Sequence, residues 1–347
     1  MLYEFARSLF FKLDPDTAQA VVMNALDPAA ALNLFKLVGA DSVRDPRTVM
    51  GLTFPNAVGL AAGLDKSGSH VSALGKTGFG HIEVGTFTPR PQPGNPAPRL
   101  WRLIPAQGIV NHMGFNNCGV RAGVENLKSA DAFRAAGGIL GINIGKQNST
   151  AVEDALPDYR VCMDTVYQKA DYLAIDISCP NTPGLTKLQE GDSLVELVRG
   201  IEDERMRLSD KHGRRVPITV KIGPDLSDDA LRAAADAFVE CGMDAITATN
   251  TTTQRPGVEH LLKPEMCGGL SGLPLNALST KVIRTLSEHL KGELPIIASG
   301  GVMSPEIAAE KMEAGASLVQ IYSGFIYSGP ALAGQCAKVI RDRFPAK

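Results

Sequence analysis

The 347-residue chain is predicted to fold as an α/β protein, a (β/α)8 TIM barrel with a small N-terminal helical extension. Three observations point there. Eight short, unbroken apolar runs are spaced along the chain from residue 57, as strands buried on both faces of a parallel sheet require. Helical stretches such as 228–240 and 305–313 separate several of them. Each run leads directly into a small or polar cluster, and the carboxyl ends of barrel strands are where such folds keep their chemistry.

The elements follow in order. Residues 1–40 read as a separate amphipathic helical segment and 41–347 as the barrel domain. Leu2, Phe5, Ala6, Leu9, Phe10 and Leu13 recur at helical spacing. Asp14-Pro15 starts a second helix, with Asp as cap and Pro in the first turn. Asp27-Pro28 repeats that signal and predicts a third helix, ended by Gly39. The candidate strands are 57–61, 81–85, 139–144, 172–177, 217–222, 244–249, 295–299 and 317–321. Residues 89–98 hold five prolines and are predicted irregular. Residues 253–274 mix Pro, Gly and charge and read as a long loop.

Composition excludes several function classes. Lys+Arg total 35 and Asp+Glu 37, so a net charge of −2 argues against nucleic acid as a partner. The six cysteines form no CxxC pair and no histidine lies at ligand spacing, so no metal is expected. No uncharged apolar run is long enough to cross a bilayer, and no targeting peptide is expected.

The clusters after strands seven and eight, Ser299-Gly300-Gly301 and Tyr322-Ser323-Gly324, are phosphate candidates, because glycines let backbone N–H groups approach the oxygens. They suit a phosphorylated substrate and a phosphorylated cofactor equally. Lys66 and Lys221 project from strand ends. Such a lysine serves as an ion-pair partner, a Schiff-base nucleophile or a fixed charge beside an anion, and two of them favour the third role. Asn111, Asn143, Asn181 and Asn250 fall on the same predicted face, and converging amides suit a planar imide ring whose edge alternates N–H and C=O. Cys179, just after strand four, is placed to act as a base or nucleophile.

The strings GLAAGLDK (59–66), GTFTPRPQPGNPAPR (85–99), NHMGFNN (111–117), GINIGK (141–146), SCPNTPGL (178–185), ATNTT (248–252), GGLSG (268–272) and ASLVQIYSGF (316–325) resemble the dihydroorotate dehydrogenases. The likeness runs almost the full chain, and the N-terminal helices resemble the quinone-dependent, membrane-associated class. The resemblance implies an FMN enzyme of pyrimidine biosynthesis. Dihydroorotate would lose a proton from C5 to a base and a hydride from C6 to the flavin, and a membrane quinone would take the electrons. It implies that Ala62, Gly63, Leu64, Asp65, Lys66, Thr86, Asn143, Asp176, Lys221, Thr249, Gly272, Gly300, Gly301, Tyr322 and Ser323 hold FMN. It places Lys66, Asn111, His112, Met113, Gly114, Phe115, Asp176, Asn181, Asn250 and Thr251 around orotate, with Cys179 as the base. The helices become a mouth on the bilayer surface, which implies a peripheral protein on the cytoplasmic face of the inner membrane.

Four positions depart from that pattern. Cys179 stands where the quinone class usually has serine; a thiol near its ordinary pKa of about 8.5 predicts full activity at lower pH than a serine enzyme needs. Asp176 stands where the family has asparagine, and an ionised carboxylate only accepts hydrogen bonds. Facing the orotate carboxylate at ~5 Å and an effective dielectric of ~20, it would cost about 3 kcal/mol. Gln19 and His112 are lesser changes, whereas Arg102 is retained. Three other readings compete: a related FMN oxidoreductase acting on another cyclic imide or dihydropyrimidine, a colourless sugar-phosphate barrel using Lys221 as a Schiff base, and a non-catalytic membrane-surface binding protein.

Overall fold

All eight apolar runs become strands of one closed parallel barrel in the computed structural model, which describes residues 2–182 and 184–346. Pro183, within the SCPNTPGL string, lies outside the described residues, as do residues 1 and 347. The strands are β1 (Val58–Leu60), β2 (His81–Phe87), β3 (Ile139–Ile144), β4 (Tyr172–Asp176), β5 (Ile218–Ile222), β6 (Ala245–Ala248), β7 (Ile296–Ser299) and β8 (Leu318–Ile321). They pair in sequence order, and β8 returns to β1. β2, β4, β5, β6, β7 and β8 are buried at every residue, which is why their sequences run apolar without alternation.

The helices between the strands start and stop on local chemistry. Ser227 caps the helix Asp228–Glu240 by accepting from Ala230 N. Ser304 does the same for Pro305–Glu313, with proline in the first turn. The 22-residue helix Gly191–His212 ends at Gly213 in the left-handed region.

The barrel interior carries a polar layer. The Glu83 carboxylate accepts from Asn143 Nδ2 (2.9 Å), Gln320 Nε2 (2.8 Å) and Tyr172 Oη (3.1 Å). Below it, Phe54 meets the His81 ring edge-on at 5.2 Å and plugs the amino ends of the strands. Phe54 belongs to an antiparallel hairpin, Arg47–Val49 with Leu52–Phe54, whose strands are too short to show a period in sequence.

The N-terminal segment differs from expectation at one point. Helix α1 spans Leu2–Phe10, and α2 spans Pro15–Ala31, capped by Asp14. Asp27-Pro28 starts no new helix: α2 runs through it, because near the carboxyl end a missing proline N–H forfeits a single bond. Asn33, at φ 54°, breaks the helix instead, and the third element is a 3-10 turn, Leu34–Val38, closed by Gly39.

The 253–274 stretch is also corrected. Its last residues, Gly269–Gly272, form a strand that pairs with Gly108–Asn111, which in turn pairs with Leu100–Leu103. This three-stranded antiparallel sheet is drawn from two barrel insertions, and residues 89–98 are irregular as expected.

Candidate active site

The carboxyl ends of the barrel strands and the added sheet enclose one polar cavity. All the sequence-predicted site residues line it except Leu64, Asp65, Asn143 and His112. Those four lie outside its lining. The Asp65 carboxylate accepts from Ser69 N (3.1 Å), His70 N (2.8 Å) and Ser67 Oγ (3.3 Å), so it holds the turn after β1 together. Leu64 faces a second, apolar cavity. Asn143 is fully buried beneath the wall; it donates to Glu83 and accepts from Thr86 Oγ1 (2.6 Å). His112 backs Asn181, with Nδ1 3.2 Å from Asn181 Oδ1.

Three of the four asparagines therefore converge. Asn181 Nδ2 donates to Asn111 Oδ1 (3.0 Å), and Asn111 Nδ2 to Gly269 O (3.3 Å). Asn250 donates to Ser178 Oγ (3.1 Å) and to both Asp176 oxygens (3.3 Å), while its own oxygen accepts from Thr251 N (2.7 Å). These bonds hold the amides in register along one wall.

The charged groups are close-set. Asp176 ends β4 directly across from Lys221 on β5. Burial raises the Asp176 pKa above the usual carboxylate range, while Lys221 and the donors of Ser178 oppose the shift. Burial, reinforced by the Asp176 charge, pushes the Cys179 thiol up to about 12. The expected acid advantage of this cysteine is thus removed by its surroundings: a thiol under protein and beside a carboxylate keeps its proton. Lys66 donates to Gly63 O (2.7 Å), and burial together with Arg99 lowers its ammonium to about 8.

The far end of the cavity is made of backbone. Gly300 (φ 108°) and Gly301 (φ 75°) adopt conformations that favour glycine, and a Cβ on Gly301 would lie 2.4 Å from Asn276 Cα. Gln320, at the cavity floor, keeps a buried Oε1 without a hydrogen-bond partner among the described residues. A groove with amides along one side and glycine turns at one end fits a flat polar ring carrying a phosphate tail. Sequence reasoning missed Ala61, Leu100, Ile109, Ser271, Leu275, Val302 and Gln320 in the lining. Gln320 alone carried a signal there, as a polar residue inside an apolar strand.

The apolar cavity, of about 420 Å³, lies under α1 and α2. Phe10, Val22, Met23, Leu26 and Phe35 line it, with Arg7, Gln19 and Arg102 among them. Leu100, Ile109 and Tyr322 border both cavities, so a single wall separates the two.

Comparison with known proteins agrees with this geometry. The family model described as dihydroorotate dehydrogenase matches residues 46–344. A protein of Teredinibacter turnerae named dihydroorotate dehydrogenase (quinone) is 54% identical over 98% of this chain and 99% of its own. One of the same name from Dechloromonas aromatica is 50% identical over 98% of both. A crystal structure of DHODH in complex with ferulenol from Eimeria tenella superposes with a TM-score of 0.85 at 37% identity, over 95% of this chain and 91% of that one. The chain belongs to the dihydroorotate dehydrogenase family.

Proposed function

We propose that the protein oxidises (S)-dihydroorotate to orotate in pyrimidine biosynthesis, with FMN as prosthetic group and a quinone as electron acceptor. The observation that carries this reading is the shared wall: a polar, imide-reading cavity and an apolar cavity meet at Leu100, Ile109 and Tyr322. When bound, FMN supplies a two-electron relay between a ring substrate on one side and a lipid-soluble acceptor on the other.

The chain's residues then divide the work. Asn111, Asn181, Asn250 and Thr251 read the edge of the pyrimidine ring, and Lys66 meets the substrate carboxylate. Met113, Gly114 and Phe115 close over it. Cys179 would take the proton from C5 as the thiolate left once its own proton has gone to solvent; because burial favours the thiol, the thiolate fraction and that transfer rise with pH. Lys221, which lines the cavity, would offer a positive charge to a bound flavin. Ala62, Gly63, Thr86, Thr249 and Gly272 would line its ring, and Gly300, Gly301, Tyr322 and Ser323 would hold its phosphate.

Residues 1–40 act as the quinone-access segment and 41–347 as the catalytic domain. Among the described residues no helix is long and apolar enough to cross a membrane. Leu2, Phe5, Leu9, Leu13, Leu32 and Leu37 are nevertheless exposed on the N-terminal segment. That apolar face supports peripheral attachment, at the cytoplasmic face of the inner membrane.

Anaerobic mixing tests the reading. Dihydroorotate should bleach the flavin and a quinone should restore it; a flavin unmoved by dihydroorotate overturns it. Asp176, a buried carboxylate in the cavity, favours one competing substrate class, a dihydropyrimidine without a carboxylate, and bleaching by that class alone would assign it.

A further inference from the structure

We infer that Lys311, outside the cavity, is a positioning residue for the flavin phosphate; this rests on the FMN reading above. The cations that line the cavity, Lys66 and Lys221, come from the ends of β1 and β5, and the loops after β7 and β8 contribute none. The glycine end therefore needs its positive potential from behind.

The structure supplies one there. The helix Asn276–Leu290 begins against the Gly300–Gly301 turn. Ser279 Oγ on that helix donates to Gly300 O (2.8 Å). The Gly300–Gly301 peptide is trans, so a carbonyl held toward the helix sends the Gly301 N–H the other way, toward the cavity both glycines line.

Lys311, on the neighbouring helix Pro305–Glu313, is fully buried. Its Nζ donates to Ser279 Oγ (2.7 Å), Thr280 Oγ1 (2.6 Å) and Asn276 O (3.0 Å), all in the first turns of the same helix. Ser279 Oγ also lies 3.0 Å from Asn276 O, but that carbonyl already accepts from the ammonium, which leaves the hydroxyl's single proton for the shorter bond to Gly300 O. Burial lowers the Lys311 ammonium to about 7, and Glu310 beside it, which accepts from Asn276 Nδ2 (3.1 Å), opposes that shift. Lys311 thus orients the peptide that meets the phosphate and, in its protonated form, places a buried cation behind it.

The test separates phosphate from ring. Full-length protein, stripped of flavin, is titrated with FMN and with riboflavin, which lacks the phosphate, by fluorescence quenching. Lys311→Met should weaken FMN roughly tenfold and leave riboflavin unchanged. Ser279→Ala, which keeps the charge and removes the link to Gly300, should weaken FMN about threefold, again without touching riboflavin. Equal loss of both ligands, or no change in either, overturns the inference. If Lys311→Met does not fold, the Ser279→Ala split decides alone. A parent protein that takes up neither flavin overturns the functional reading instead.

Discussion

The two cavities that meet at Tyr322 are built by opposite means. The polar one is framed by strands whose residues are almost all fully buried, and its amides are tied to one another. The apolar one is roofed by helices that barely enter the core: α1 buries no residue, and α2 buries Ala18, Leu26 and Ala30. A few polar tethers hold that roof. Tyr3 Oη donates to Ile326 O (2.7 Å), and Arg7 donates to Tyr327 O. Arg102 donates to Phe11 O (3.0 Å) and Leu13 O (3.3 Å), and sits 4.7 Å from the centre of the Phe11 ring. A hydrogen-bonded ring substrate demands fixed donors, whereas a lipid-soluble acceptor needs apolar walls and a way in. The difference in burial follows that difference in ligand.

Substitutions can break the contrast from either side. The largest effect falls on Cys179. Cys179→Ala should slow bleaching of the flavin by dihydroorotate by roughly 10²–10⁴-fold, the range for a lost general base. Rapid mixing of the reduced protein with quinone should show unchanged reoxidation; a slowed second half would mean the two regions are not separable.

Asp176 comes next. Burial raises its pKa, so it becomes neutral at a higher pH than an ordinary carboxylate, which relieves its repulsion of an anionic ligand. Orotate affinity in the parent protein should therefore rise as pH falls. Asp176→Asn should bind orotate up to about a hundredfold more tightly at pH 8, with the gain shrinking toward acid. Equal affinities across that range would show that Lys221 already cancels the charge.

Arg102 probes the roof. Arg102→Ala loses charged hydrogen bonds to two α1-flanking carbonyls and should raise the quinone KM about tenfold, with the dihydroorotate KM unmoved. A matching rise in both would tie the roof to the polar cavity.

The smallest effect is an alkaline limb. Lys66 meets an anion only while charged, and its pKa of about 8 means that charge is lost as pH rises through that value. Orotate binding should fall about fourfold between pH 7 and 8.5, and Lys66→Met should bind weakly without that slope. Calorimetric titration across pH reads both.

The barrel was legible in the chain because its signals are local. A strand buried on both faces must be apolar throughout, and the turn that follows must supply small or polar groups, so β1 to β8 and the clusters after them stand out residue by residue. The glycines at 300 and 301 and the cap at Asp14 are equally local requirements. What depends on distant partners could not be read that way. The strand Gly269–Gly272 exists because Gly108–Asn111 accepts it, more than 150 residues away. Asn143 turns from the cavity because Glu83 and Thr86 claim both ends of its amide. Cys179 keeps its proton because burial and Asp176 surround it, and Lys311 matters through a hydroxyl on another helix. Pairing register, burial and local electrostatics are properties of the packed chain, and no spacing along the sequence encodes them.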